Sequence, residues 1–375
     1  MQFVPAEYST AEELILQHCS QPAPRGSTAA AAASVKSSAL QTSYHDASLA
    51  TLCDALSAIG TFHRRLHSYT ASVTGPAKQR LQARFTNTAV QAVRSKLMFA
   101  SAEQHLLPGA LSSWPEHLKT AVLAEAWALA SAAGEQLAQQ QGVCLTHGDS
   151  WMRSFMLGAE HGRAHARCPP GFAIDWEFAH WGQPLQDWAH VYAHVWMLTH
   201  GAAPVDSDAP WAIQHMLGGG TASGLWSAYR GAYCTKGGEG GGRLSTSLST
   251  DMDHLKHSSP AAAATAAPGC GEGLLPAQLA TAWVACELLT RAGGTFGAGY
   301  VYRPAAPTEE CSTRALEACD CAVALLCSAV QGGSASKWVH GTQGLTASCR
   351  TALQQLEYAD AVYKQLDGVF SVVDG

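Results

Sequence analysis

The chain has 375 residues, 47% of them hydrophobic and 14% charged, which is enough apolar material for one large domain or two ordinary ones. A net charge of −6 and a pI near 6.3 leave no basic footprint for a nucleic acid or an anionic membrane surface. The sequence has no uncharged apolar stretch of about 18 residues to span a membrane, and its twelve cysteines lack the C-x-x-C spacing of a structural zinc site. Met1–Glu7 has neither the basic nor the apolar part of a secretory signal, so the expected location is cytoplasmic, with the thiols free and reduced.

Leu14-Ile15-Leu16 is a short apolar run after a polar turn and reads as a strand ending at Gln17-His18-Cys19. The Ala/Ser/Pro-rich segment 21–41 has the composition of a flexible insertion. Leu49, Leu52, Leu56, Ile59, Phe62 and Leu66 recur at intervals of three and four, which predicts one face of a helix. Two more helices are predicted near 77–105 and 115–141, the second with Pro115 in its first turn and Gly142 as its C-cap. Val143-Cys144-Leu145-Thr146 then reads as a strand running into His147-Gly148-Asp149. Phe155-Met156-Leu157 and Phe172-Ala173-Ile174 are two further short strands, separated by a polar loop over 158–171. An aromatic-rich helix is predicted over 184–200, and helical patterns resume at 276–292, 308–331 and 343–367. Between them, 235–275 is dominated by Gly and Ala and reads as a linker.

The chemistry concentrates in His147-Gly148-Asp149 and Asp175-Trp176-Glu177. Each acidic group closes a short apolar strand, and strand ends hold side chains rigidly at a cleft. Two carboxylate clusters of this kind suit phosphoryl transfer: one orients a hydroxyl, the other holds Mg²⁺ against nucleotide phosphates.

His147-Gly148-Asp149-Ser150-Trp151-Met152-Arg153-Ser154 resembles the catalytic loop of the aminoglycoside phosphotransferase and choline kinase superfamily. Ile174-Asp175-Trp176-Glu177-Phe178, with Gly182 and Pro184 after it, resembles the metal-binding segment of the same superfamily. The wording is closest to 5-methylthioribose kinase and to fungal-type phosphotransferases, and Ala285–Arg291 is similar to a helix of the former that carries paired arginines, with Thr290 in place of one. The resemblance implies ATP and Mg²⁺ as cofactors and a small-molecule hydroxyl as substrate. It makes Asp149 the base and His147 a support of the loop backbone, with Ser154, Asp175 and Glu177 as metal ligands. It also makes Asp187 a brace for the loop, and Leu16, Gln17 and Cys19 an adenine-binding hinge; a plain strand remains the alternative for that last segment. Trp151, Arg153 and Arg291 are candidate substrate contacts, and Trp176 and Trp181 lie beside the site, where aromatic packing is the alternative role.

The fold expected from this resemblance is α+β, a protein-kinase-like C-terminal lobe of the aminoglycoside phosphotransferase type, mostly helical with a few short strands and a truncated N-lobe. Its parts are a residual N-lobe strand and hinge in 1–20, the insertion 21–41, the lobe proper in 42–234, the linker 235–275 and C-terminal helices in 276–375. The phosphate loop and its lysine would precede Leu14, where the sequence has no room for them. Two functions are therefore open: an ATP-dependent phosphotransferase, or a catalytically dead kinase-like binding or scaffold protein. A metal-dependent hydrolase on His147, Asp149 and Asp175 is a third. His190 and His194 are spaced as a metal pair but lack the Glu of H-E-x-x-H, and read as core histidines.

Overall fold

A capping box opens the first helix. The Thr10 amide donates to the Glu13 carboxylate at 2.8 Å and the Glu13 amide to the Thr10 hydroxyl at 3.1 Å, so two N–H groups find partners and the chain turns helical at Ala11. The computed structural model describes residues 8–19, 35–112, 114, 116–139, 142–158, 171–202, 224–234, 276–297, 301–302 and 309–330. It begins with β1 (Tyr8–Thr10) and α1 (Ala11–Cys19). The strand expected at Leu14-Ile15-Leu16 is therefore a turn of α1, with Ala11 and Ile15 buried four residues apart, a helical spacing.

The helix predicted through Leu49 to Leu66 is α2 (Val35–Ser72). It starts within the stretch read as an insertion, so 35–41 is helical, while 21–34 lies outside the described residues. Leu52, Leu56 and Ile59 put its apolar stripe into the core. The single helix expected near 77–105 is broken into α3 (Gly75–Arg84), α4 (Thr88–Arg94), a π-helical stretch Ser95–Ala100 and a short 3₁₀ turn. The break falls where backbone and side chains are drawn to a neighbouring segment: the Phe85 carbonyl accepts from the Trp181 amide at 3.3 Å, and the Asn87 amide side chain donates to the Glu177 carbonyl at 2.8 Å. Helix α5 (Glu116–Ala138) follows. Gly142 is not its cap; a side chain there would collide with the backbone of Gly182 across the next strand pair.

That pair is antiparallel, β2 (Cys144–Thr146) against β5 (His180–Gly182), with Leu145 opposite Trp181. A second sheet has the order β1–β3–β4, in which β3 (Phe155–Gly158) lies between β1 and β4 (Phe172–Ala173), again antiparallel. Helices α6 (Pro184–Ala202), α7 (Leu225–Cys234), α8 (Pro276–Ala292) and α9 (Glu309–Val330) complete the described structure, which is mostly helical around a few short strands. Helix α6 is buried on every side from Leu185 to His200, as is α8 from Leu279 to Thr290, so polar groups on them must find partners inside the protein. The predicted linker 235–275 and helix 343–367 lie outside the described residues. Among the described residues no helix is long and apolar enough to cross a membrane, and the cysteines from Cys53 to Cys327 are free thiols.

Candidate active site

Strand β2 delivers the chain into His147-Gly148-Asp149, and Gly148 lets it turn there. Gly148 has φ of 82°, and a Cβ on it would collide with the Phe178 carbonyl oxygen, so only glycine fits both the conformation and the approach. The loop is held mainly by one buried carboxylate. Asp187, in the first turn of α6, accepts hydrogen bonds from the amides of His147 and Gly148 at 2.8 Å each. It also accepts from the Ser150 hydroxyl and from His67 Nε2 at 2.9 Å each. Burial alone would raise the pKa of Asp187. The hydrogen bond from His67 and the electrostatics of the imidazoles packed around Asp187 outweigh burial and hold the carboxyl well below the usual range.

Behind Asp187 the network runs to a second layer. Ser150 donates to Asp187 and therefore accepts from His63 Nε2 at 3.1 Å, which leaves His63 Nδ1 to accept from the Tyr229 hydroxyl at 2.8 Å. His67 Nδ1 meets the Tyr233 hydroxyl at 2.9 Å in the same way. Burial pushes His63 down to about 3, in keeping with this neutral tautomer. On the other side of the loop the Arg94 guanidinium donates to the Gly148 carbonyl and to His190, and lies over the Phe178 ring at 5.6 Å.

The second acidic segment is tied to the first. His147 Nε2 donates to the Ile174 carbonyl at 2.8 Å, and the Ile174 amide donates to the Ser154 carbonyl at 2.9 Å. Asp175 then adopts the left-handed conformation, φ 66° and ψ 54°, which costs a non-glycine residue about 1 kcal/mol or more and recurs where a side chain must be aimed. Asn87 and Gln91 of α4 hold the carbonyls of Glu177 and Phe178.

Asp149, Asp175 and Glu177 face one cavity of about 690 Å³. Its other walls are α4 with the π-helical stretch, Trp151, and the C-terminal end of α8 at Thr290 and Arg291. The remaining predicted residues fall elsewhere. Ser154 is buried and its hydroxyl donates to the Asp149 carbonyl at 2.9 Å, so that oxygen is engaged inside the loop and absent from the cavity wall. Leu16, Gln17 and Cys19 lie on a helix, not on a hinge strand, and Leu16 and Gln17 are outside the cavity lining. Arg153 is paired with Glu12 through two contacts of 2.8 Å, and is likewise off the cavity wall. Trp151 and Arg291 are on that wall, with the Arg153 and Arg291 guanidinium groups 5.2 and 5.5 Å from the indole centroid. Trp181 packs in the small core beside β2, and Trp176 donates to the Ala173 carbonyl.

His190 and His194 are core residues, facing a buried Glu287 of α8 at 3.4 and 3.1 Å, with Arg291 at 2.8 Å on the same carboxylate. Burial would raise Glu287, but Arg291 and His190 hold it well below its ordinary value. Arg94, Asn87, Glu287 and the pair His63 and His67 are absent from the sequence-predicted site. Only the histidine pair leaves a signal, two polar residues four apart on an otherwise apolar helical stripe.

The family model for the phosphotransferase enzyme family, APH, matches residues 21–226, more than half of the chain. The chain belongs to this family. No curated protein matches it. The family match takes in the 147–154 loop, the Asp175 segment and Asp187, whereas Glu12, Glu287 and Arg291 come from segments on either side of it.

Proposed function

We propose that the protein transfers the γ-phosphoryl group of ATP to a hydroxyl of a small molecule, with Mg²⁺ as cofactor. The observation that carries this reading is that the Asp149 and Asp175 carboxylates, delivered by two different strand ends, face one cavity. Asp149 accepts a hydrogen bond from the substrate hydroxyl and aligns its oxygen on the γ-phosphorus; the new P–O bond forms as the bond to ADP breaks, and the hydroxyl proton passes to the carboxylate. Asp187, which accepts three hydrogen bonds from the loop and a fourth from His67 of α2, keeps Asp149 in place.

Asp175 and Glu177 are exposed carboxylates on the cavity wall, a hard oxygen donor set suited to Mg²⁺, which takes one or two carboxylates and fills its remaining positions with phosphates and water. Bound there, the ion supplies neutralisation of phosphate charge. The left-handed backbone at Asp175 and the grip of Asn87 on the Glu177 carbonyl hold those side chains ready. Cytoplasmic residence belongs to the same proposal, since it supplies ATP and reduced thiols.

Transfer of label from γ-³²P-ATP to a panel of hydroxyl compounds tests the reading. Label should appear in an organic product, fall by a factor of about 10³ in Asp149→Asn, and depend on Mg²⁺ through Asp175. Unchanged transfer in both Asp149→Asn and Asp175→Asn would sink the proposal.

A further inference from the structure

The cavity walls carry more than the acidic groups. The face of the helical stretch 88–98 turned to the cavity presents Val90, Val93, Leu97 and Met98, and Phe296 closes the opposite side. Val93, Leu97 and Phe296 are 57%, 38% and 44% exposed, so three of the large apolar side chains most open to solvent among the described residues gather at one cleft. The same stretch buries Gln91 and Arg94, Arg94 at the cavity wall, while its exposed Thr88 and Lys96 are not among the residues that line the cavity. Its π-helical turn, Ser95–Ala100, widens the spacing so that Leu97 stays on the cavity while Phe99 enters the core.

Charge points the same way. The wall holds three carboxylates, Asp149, Asp175 and Glu177, against two guanidinium groups, Arg94 and Arg291. A divalent cation at Asp175 and Glu177, as proposed above, would engage those two carboxylates, which leaves Asp149 as the wall carboxylate able to attract a cation, on a wall it shares with two guanidinium groups. The Trp151 indole, the natural platform for an ammonium group, already lies against Arg153 and Arg291.

We infer that the acceptor is an uncharged or anionic alcohol with an apolar body, seated against Val93, Leu97 and Phe296, and not a polycationic sugar. The inference rests on the phosphotransferase reading for the identity of the reacting hydroxyl. A cavity of about 690 Å³ admits a body of drug size.

Binding measured without nucleotide separates the two claims. Titration calorimetry on the whole chain, with MgCl₂ present, would compare farnesol and cinnamyl alcohol with ribose and kanamycin. The apolar alcohols should bind at least tenfold more tightly than ribose or kanamycin. Val93→Asp and Leu97→Asp, both at exposed positions, should each weaken that binding at least tenfold while the circular dichroism spectrum stays unchanged. Should either variant fail to fold, Phe296→Ala gives the same reading from the opposite wall. Tighter binding of kanamycin, or apolar binding indifferent to all folded variants, overturns the inference. Failure of phosphate transfer with intact apolar binding instead overturns the proposed activity and leaves the pocket assignment standing.

Discussion

Asp187 and His67 are 120 residues apart in the sequence and 2.9 Å apart in the structure. Asp187 also takes the amides of His147 and Gly148, so a carboxylate on one helix and an imidazole on another fix the turn that presents Asp149. The shape of the loop is thereby set by buried side chains more than by its own backbone.

Asp187→Asn tests that statement. The amide can accept at one atom only, and its NH₂ faces donors that then have no acceptor. Removing one partner from a buried charged network costs about 3 kcal/mol. Urea unfolding should show a loss of that size, with phosphate transfer falling alongside it.

Gly148→Ala meets both a positive φ and the Phe178 carbonyl oxygen. The expected loss exceeds about 1 kcal/mol, because alanine at a left-handed position is strained even in open space. Alanine at Gly231, inside α7 where a Cβ would meet nothing, is the control that should unfold at or above the parent midpoint.

Stability should fall on mild acidification. Burial lowers His63 to about 3 and His194 to about 4, and lowers His180 and His200 as well. Between pH 6.5 and those values the unfolded chain binds more protons than the folded one, so stability falls as pH decreases. At pH 5 the loss is about 2 kcal/mol for each of His63 and His194. Asp320, pushed up to about 6 by burial, works in the opposite sense but is one group against four. Asp187 and Glu287, both held low, add their own loss only below the ordinary carboxylate range. Calorimetric Tm values from pH 7.5 to 5 should decline steadily, and a flat profile would contradict the burial of these rings.

Thr10→Ala removes one half of the capping box that starts α1. The expected cost is about 1 kcal/mol. Because α1 carries Glu12, which holds Arg153 of the 147–154 loop, amide exchange should quicken both in α1 and around Arg153.

Much of the site is legible in the sequence because its two acidic motifs are contiguous and each follows a short apolar run. Asp187 is legible too, but only through the resemblance, which places an acid at the start of the helix after the metal-binding segment. Leu14-Ile15-Leu16 is not, since three apolar residues fit a strand or a buried helical turn equally well; the Thr10–Glu13 capping box is the signal that decides it. The break at 85–87 is invisible locally, because its cause is the partners that Phe85 and Asn87 find about ninety residues later. Arg94 is unreadable for the same reason: its meaning comes from Gly148 and His190, which only folding brings near. Ser154 shows the limit of motif reading, since its spacing suits a ligand while its hydroxyl bonds back to the Asp149 carbonyl.

The chain of bonds from Tyr229 through His63 and Ser150 to Asp187 has an evolutionary corollary. Each member is buried and each is satisfied by the next, so a change at one is harmful unless its neighbour changes with it. Substitutions along this line should be epistatic. In related sequences His63, Ser150 and Tyr229 should be exchanged as a set, and transplanting the 147–154 loop alone into a relative should fail unless the matching faces of α2 and α7 travel with it.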